Sequence, residues 1–330
     1  MKLRLPPQLV PLAASAAVLV ALYVSGCFAF NGFTSPRVLI NLFGDNAFLG
    51  VAAVGATFVI LSGGIDLSVG AVVALTTISV ASLLGHGVPP LAAVLLVLAG
   101  GAAFGAFLGF LIHWFELPSF LITLGGMFLA RGLGFVVHPE SLGITHPFYA
   151  DTLGGLAIPV AHVTTASGRV QTLTLPFTAQ CLLAVVLVAA IAAKWTRFGR
   201  NVYAIGSSES SARLMGVPIG RTKILVYALA GFLSALGGVV ATFYMQSGNP
   251  ASFVGLELDA IAAVVIGGTL LRGGVGFIPG TLVGVLILGI IQTLINFKGD
   301  LNTWWTKIAI GGLLLVFIML QQALSRPRRT

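Results

Sequence analysis

The sequence predicts an all-α polytopic membrane protein with about eight to ten transmembrane helices, some short or broken. Three observations carry that expectation. Residues of the AVILMFWYC set make up 57% of the 330-residue chain. Charged residues make up only 8%, against about a quarter in a soluble domain, so there is too little charge to cover a water-facing surface. The high mean hydropathy, +1.05, is concentrated in continuous apolar runs of about 20 residues, the length a helix needs to cross hydrocarbon. A membrane barrel would instead show shorter alternating segments.

Taken in order, a basic start (Lys2, Arg4) precedes the first run, Leu9 to Phe30. No convincing cleavage site with a soluble domain follows, so this run is expected to be retained as the first span. The next run begins after Asp45-Asn46, reaches Ser62, breaks at GGIDLSVG (Gly63 to Gly70) and resumes to Leu84. Pro89 to Trp114 is the fourth, with Gly101, Gly105 and Gly109 at four-residue spacing. Such a stripe lets a neighbouring backbone approach closely and implies packing rather than chemistry. Pro118 to Val137, holding Arg131, is the fifth; a long polar connection, His138 to Leu175, leads to the sixth, Pro176 to Trp195. A basic polar island, Thr196 to Lys223, separates it from Ile224 to Gln246. After SGNPASFVGLEL comes a short piece, Asp259 to Leu271, interrupted at RGGVGFIPG; Thr281 to Ile295 and Trp305 to Leu324 close the chain.

About ten apolar segments put both termini on one side. The basic residues gather at Lys2 and Arg4, at Lys194, Arg197, Arg200, Arg213, Arg221 and Lys223, and at Arg326, Arg328 and Arg329. That placement follows the positive-inside rule and makes the shared side cytoplasmic. Residues 1–330 are then one transmembrane domain, with 138–175 facing outward and 196–223 facing the cytoplasm. The sidedness survives if Gly63–Gly70 and Arg272–Gly280 are turns buried within the membrane. GGIDLSVG, GGMFLARG (Gly125–Gly132) and GGTLLRGG (Gly267–Gly274) share G-G-x-x-L-x-x-G. Either an internal repeat or chance among 42 glycines accounts for the echo.

The net charge of +8 sits at loops and termini, which argues for membrane orientation and against nucleic acid. Cys27 and Cys181 lie inside apolar runs and read as small packing residues. There is no G-x-x-x-x-G-K-[ST] loop, no H-E-x-x-H, no cluster with metal-ligand spacing and no nucleophile motif. The chain thus has no ordinary means of cradling ATP or holding a metal, and an enzyme is disfavoured.

Asp66, Arg131 and Asp259 are the ionisable residues nearest membrane depth. A charge there costs about 2.5–3.5 kcal/mol even on lenient scales, so each should pair, cap a helix or line a wet path. Asp66 either caps the helix starting near Leu67 or, with Ser68, offers acceptors to a hydroxylated solute. Arg131 reads as structural, snorkelling or pairing. The stretch Phe243 to Asp259 mixes aromatics with Gln246, Asn249, Glu257 and Asp259. That mixture suits a sugar, with apolar faces and a hydroxyl rim, and equally suits a membrane-exit loop. Asp66, Ser68, Phe243, Gln246, Asn249 and Asp259 are therefore the candidate pathway residues. In the basic island, Glu209 to Gly216 reads as a short amphipathic helix stopped by Pro218, with Leu214, Met215 and Val217 for apolar contacts. It is either a docking element or a passive link.

The motifs SGGIDLSVGA (Ser62–Ala71), LPSFLITLGGM (Leu117–Met127), E-x-x-A-x-x-x-G (Glu209, Ala212, Gly216) and ELDAIAAVVIGGTLLRGGVGFIPGTLVGVL (Glu257–Leu286) resemble the permease subunits of bacterial sugar ABC importers. The likeness is to the ribose/xylose-type carbohydrate-uptake branch of the binding-protein-dependent transport family. It runs in order from about Asn41 to Gly312 and, within the branch, is greatest to galactofuranose-type permeases, which work as one of two different paired permeases. The resemblance implies a chain in the bacterial inner membrane forming half of a passage for a monosaccharide. ATP and Mg would be bound by a separate ATP-binding subunit, so this chain has no cofactor. A second, related permease and a periplasmic sugar-binding protein, docking on 138–175, would complete the partners, together with membrane lipid. Glu209, Ala212, Arg213, Leu214 and Gly216 match the family's coupling helix to the ATPase. Ser210 and Ser211 replace the usual alanines and the glycine falls one position late, a spacing usual in the sugar branch. Two other readings stand beside this one: an ion-coupled secondary transporter, for which broken helices and Asp66/Asp259 argue, and a receptor or scaffold.

Overall fold

A computed structural model describes residues 10–164, 170–300, 302 and 304–325. Lys2, Arg4, Arg326, Arg328 and Arg329 lie outside the described residues. The fold is helical, and among the described residues six helices are long and apolar enough to cross a membrane: α1 (Val10–Ala29), α5 (Pro90–Trp114), α6 (Ser119–Val137), α8 (Phe177–Trp195), α11 (Ile219–Met245) and α13 (Ile278–Lys298). A seventh is the pair α2 (Pro36–Asp45) and α3 (Ala47–Leu61), bent by 54°. Shorter apolar helices are α4 (Val69–Gly85) and the stretch Trp304–Met319 of α14 (Trp304–Ser325), and α12 spans Leu256–Ile266. The sequence boundaries hold to within a few residues, except that the seventh predicted run starts five residues earlier, at Ile219, and the piece expected at Asp259–Leu271 is the helix Leu256–Ile266, which ends five residues earlier. Helix α2 was not foreseen; Ser35 starts it, its side chain accepting the Arg37 N–H with Pro36 in the first turn.

Helix α3 is apolar on all sides and buried along almost its whole length, as a helix without a polar face must be. Around it stand α11, α12, α13 and α8. The glycine stripe of α5 does what its spacing implies. Gly101 lies on Gly231 and Ala235, Gly105 on the Tyr227 carbonyl, and Gly109 on Ile224, so α5 and α11 run antiparallel with backbones touching. A β-carbon at Gly105 would collide with main chain.

The antiparallel order gives the bundle two ends. One carries α9 (Arg197–Ser207) and α10 (Glu209–Leu214), which link α8 to α11. The central island thus forms two helices where one was expected, because Ser208 adopts an extended backbone between them and caps α10 by accepting the Ser211 N–H. The other end carries the connection after α6: β1 (Leu142–Gly143), α7 (Pro147–Gly155) and an antiparallel hairpin of β2 (Ile158–Thr164) and β3 (Val170–Leu175). Strand β1 pairs with β4 (Ser247–Gly248), just past α11.

Candidate functional site

Besides the bent pair α2–α3, two spans among the described residues are interrupted by non-helical loops, between α3 and α4 and between α12 and α13, and these breaks are complementary. After α3 the chain turns at Gly63 (φ +83°) and runs extended along α6, where the Ile65 N–H donates to Ser119 Oγ and the Leu67 N–H to Thr123 Oγ1, both at 3.1 Å. Helix α4 therefore starts part-way along the bundle. From the opposite end, the stretch after β4 descends beside α4: Gly248 lies on the Thr77 backbone, Pro250 against Gly134, and the Phe253 carbonyl against Gly70. That is roughly two turns of α4, about 10 Å, before α12 begins. The amino ends of α4 and α12 thus meet inside the bundle, the arrangement by which discontinuous helices present positive dipole ends at depth.

Asp66, Ser68 and Glu257 lie at this junction, all buried. Asp66 Oδ1 accepts the Ser68 N–H at 2.8 Å and its hydroxyl at 2.6 Å. The carboxylate closes the turn before α4, which begins at Val69 rather than Leu67. Glu257 Oε1 accepts the Gly255 N–H at 3.2 Å. Its Oε2 is buried without a hydrogen-bond partner and rests where a β-carbon on Gly70 would stand. Only a glycine at position 70 leaves room for it. Arg131 Nη1 donates to the Pro250 and Ser252 carbonyls, at 2.7 and 2.5 Å. It clasps the re-entrant stretch instead of snorkelling, and it lies in the field of Glu257.

The remaining pathway candidates are elsewhere. Asp259 points away from the junction and pairs with Lys307 of α14 at 2.6 Å. Phe243 is buried at the far end of α11, stacked on Tyr149 with ring centroids 4.3 Å apart. Gln246 is exposed, in a left-handed conformation that ends α11. Asn249 turns its side chain back to the Ala251 N–H at 2.8 Å. The structure thus sets Glu257 against Gly70, close along the chain to Ser68 and Asp66, and leaves Phe243, Gln246, Asn249 and Asp259 apart. Glu257 stood out in the sequence only as one acceptor among several; no local signal says that it packs on Gly70, some 190 positions earlier.

At the opposite focus, α10 is held to the bundle by one side and free on the other. Ala212 is fully buried with Ile205 and Ile219. Glu209 reaches Lys223 in α11 at 2.7 Å and Arg213 at 3.5 Å. Leu214 and Met215 are 90% and 70% exposed, and Arg213 is exposed as well. Val217 turns inward toward the Ile205 cluster, so only Leu214 and Met215 offer an outward apolar face. Gly216 ends the helix at φ +75° with open space around it, while the Val217 N–H returns to the Ala212 carbonyl at 3.0 Å, a glycine-dependent stop.

These ends connect. Gly206 of α9 lies on the Leu61 carbonyl and on Gly274, and the Gly274 N–H donates to Leu61 at 2.9 Å. Tyr203 donates its hydroxyl to the Gly276 carbonyl at 2.8 Å; burial pushes its phenol pKa up and keeps the proton on it. Both broken-span loops, Gly63–Ser68 and Gly267–Phe277, therefore rest on α9. Of the three G-G-x-x-L-x-x-G echoes, the first and third occupy this equivalent place, while Gly125–Gly132 lies within α6. A cleft of about 320 Å³, lined by Gly63, Gly64, Ser119, Glu209, Lys223 and Tyr227, separates the Asp66 loop from α10.

No solved structure matches the chain. The chain is 51% identical to the inner membrane ABC transporter permease protein YjfF of Escherichia coli (strain K12), over 96% of this chain and 92% of that one. It is 36% identical to the fructose import permease protein FruG of Bifidobacterium longum (strain NCC 2705), covering 97% and 93%. Identity to the ribose import permease protein RbsC of Escherichia coli (strain K12) is 37%, covering 92% and 91%. The family described as branched-chain amino acid transport system / permease component matches residues 38–318, a range that takes in both broken spans and the α9–α10 link. The chain is a multi-pass protein of the inner membrane and belongs to that permease family.

Proposed function

We propose that the chain is the membrane-embedded, non-catalytic half of an ATP-driven importer for a monosaccharide, with the α9–α10 end in the cytoplasm and the β2–β3 hairpin outside. ATP and Mg belong to a separate ATP-binding subunit, a second, related permease completes the passage, and a periplasmic sugar-binding protein delivers cargo. The import permeases for ribose and fructose among the relatives support a sugar; the resemblance of the sequence to galactofuranose-type permeases makes galactofuranose the expected one. The carrying observation is the mounting of α10: an exposed Leu214–Met215 tip whose base is ion-paired, through Glu209, to Lys223 near the start of α11. Force applied there enters the longest helix directly, and through α9 it reaches both broken-span loops.

One observation favours the ion-coupled alternative, the two buried carboxylates, Asp66 and Glu257, at the broken helices. Uptake into vesicles separates the readings. The importer requires ATP on the cytoplasmic side, the ATP-binding subunit and a sugar-loaded binding protein. Uptake by this chain alone, driven by a proton or sodium gradient, would establish the alternative, and no flux under any condition would leave a receptor or scaffold.

A further inference from the structure

Where α8 ends and α13 begins, on the α9 side of the bundle, lies a half-open cavity of about 570 Å³. One wall is apolar, made by Ala190 and Ala193 of α8 with Phe277, Ile278 and Pro279 at the start of α13; Lys194, Arg200 and Tyr203 make the other. The two cations make only neutral contacts among the described residues. Lys194 stands 5.2 Å over the Trp195 ring, Arg200 Nη1 reaches the Trp195 carbonyl at 3.4 Å, and neither pairs with a carboxylate among the described residues. No acidic residue lines the cavity. Trp195, 65% exposed beside it, is the residue type that settles at the headgroup level of a bilayer.

We propose that this cavity is a binding site for an anionic phospholipid of the cytoplasmic leaflet. The phosphate sits between Lys194 and Arg200, and the proximal acyl carbons lie on the Ala190–Ala193–Ile278 wall. Charge complementarity selects the headgroup: two cations without a counter-ion at an interface attract an anionic lipid by about 1 kcal/mol each, whereas a zwitterionic headgroup brings its own cation. The apolar wall selects a lipid over a free anion. The site touches the coupling path, because Tyr203 and Phe277 belong to α9 and to the loop that α9 supports. The assignment of leaflet rests on the sidedness proposed above.

The test is lipid retention by the purified complex, read by native mass spectrometry after exchange into mixed phosphatidylglycerol and phosphatidylcholine. The wild type should retain phosphatidylglycerol preferentially, and the pair Lys194→Gln, Arg200→Gln should lose that preference by about tenfold or more. Arg213→Gln on α10 should leave it intact. Equal retention in the double variant, or displacement of the lipid by millimolar inorganic phosphate, would overturn the site. So would loss of the ATP-binding subunit with lipid retention unchanged, which would assign the cations to a protein contact. Sidedness is read separately, by impermeant thiol labelling of Ser207→Cys from either face. Labelling from outside would sink the functional reading while the retention result still stood.

Discussion

Glu257 places a carboxylate oxygen in the space that a β-carbon on Gly70 would need, so the amino end of α12 packs directly on the amino end of α4. The contact is one of packing, since that oxygen has no hydrogen-bond partner. Gly70→Ala should push Glu257 and the Phe253 carbonyl away, at a cost of about 1–3 kcal/mol. The expected outcome is a lowered melting temperature and impaired uptake in a complex that still assembles. Unchanged values of both would show that the junction yields freely.

The α5–α11 seam offers a sharper comparison. Gly105→Ala drives a methyl group into the Tyr227 main chain, which cannot move alone, and should prevent stable folding. Gly100→Ala, one turn away with nothing within 4 Å, should be neutral or stabilising by up to about 1 kcal/mol through helix propensity. Thermal unfolding in detergent reads both.

Glu209 and Lys223 are partly exposed, at 41% and 21% of their side-chain surface. Breaking the pair should therefore change stability by less than about 1 kcal/mol. Transmission is another matter. Glu209→Gln should leave ATP hydrolysis running while uptake falls, and the exchange Glu209→Lys with Lys223→Glu should restore part of it. A normal ratio of sugar moved to ATP hydrolysed in the single variant would count against α10 as the entry point of force.

On the same helix, Arg213→Glu should weaken attachment of the ATP-binding subunit without affecting insertion. Gly216→Val acts differently: it meets no atom, but a β-branched residue resists φ +75°, so the α10 stop loosens and the tip is misdirected. Co-purification of the subunit with each variant is the measurement, and full recovery with both would refute the docking role.

Asp66→Asn keeps an acceptor oxygen for the Ser68 N–H and should preserve the turn and the assembly. Uptake should nevertheless change, because the buried carboxyl before α4 loses its ability to ionise. Unaltered uptake would reduce Asp66 to a cap.

The sequence by itself determined the solvent, where the apolar segments fall, the loops at which α3–α4 and α12–α13 break and the place where helix leaves the bundle. Each of these follows from composition and period, and from glycines and prolines acting on their own neighbours. Only the tertiary structure decided which charged groups share a site. Glu257 meets Gly70, four residues after Asp66, because an extended stretch descends beside α4, while Asp259, two residues beyond Glu257, faces α14 and meets Lys307. A helix turns by about 100° per residue, so a local reading of SFVGLELD could find the carboxylates but could not say which of them faced inward.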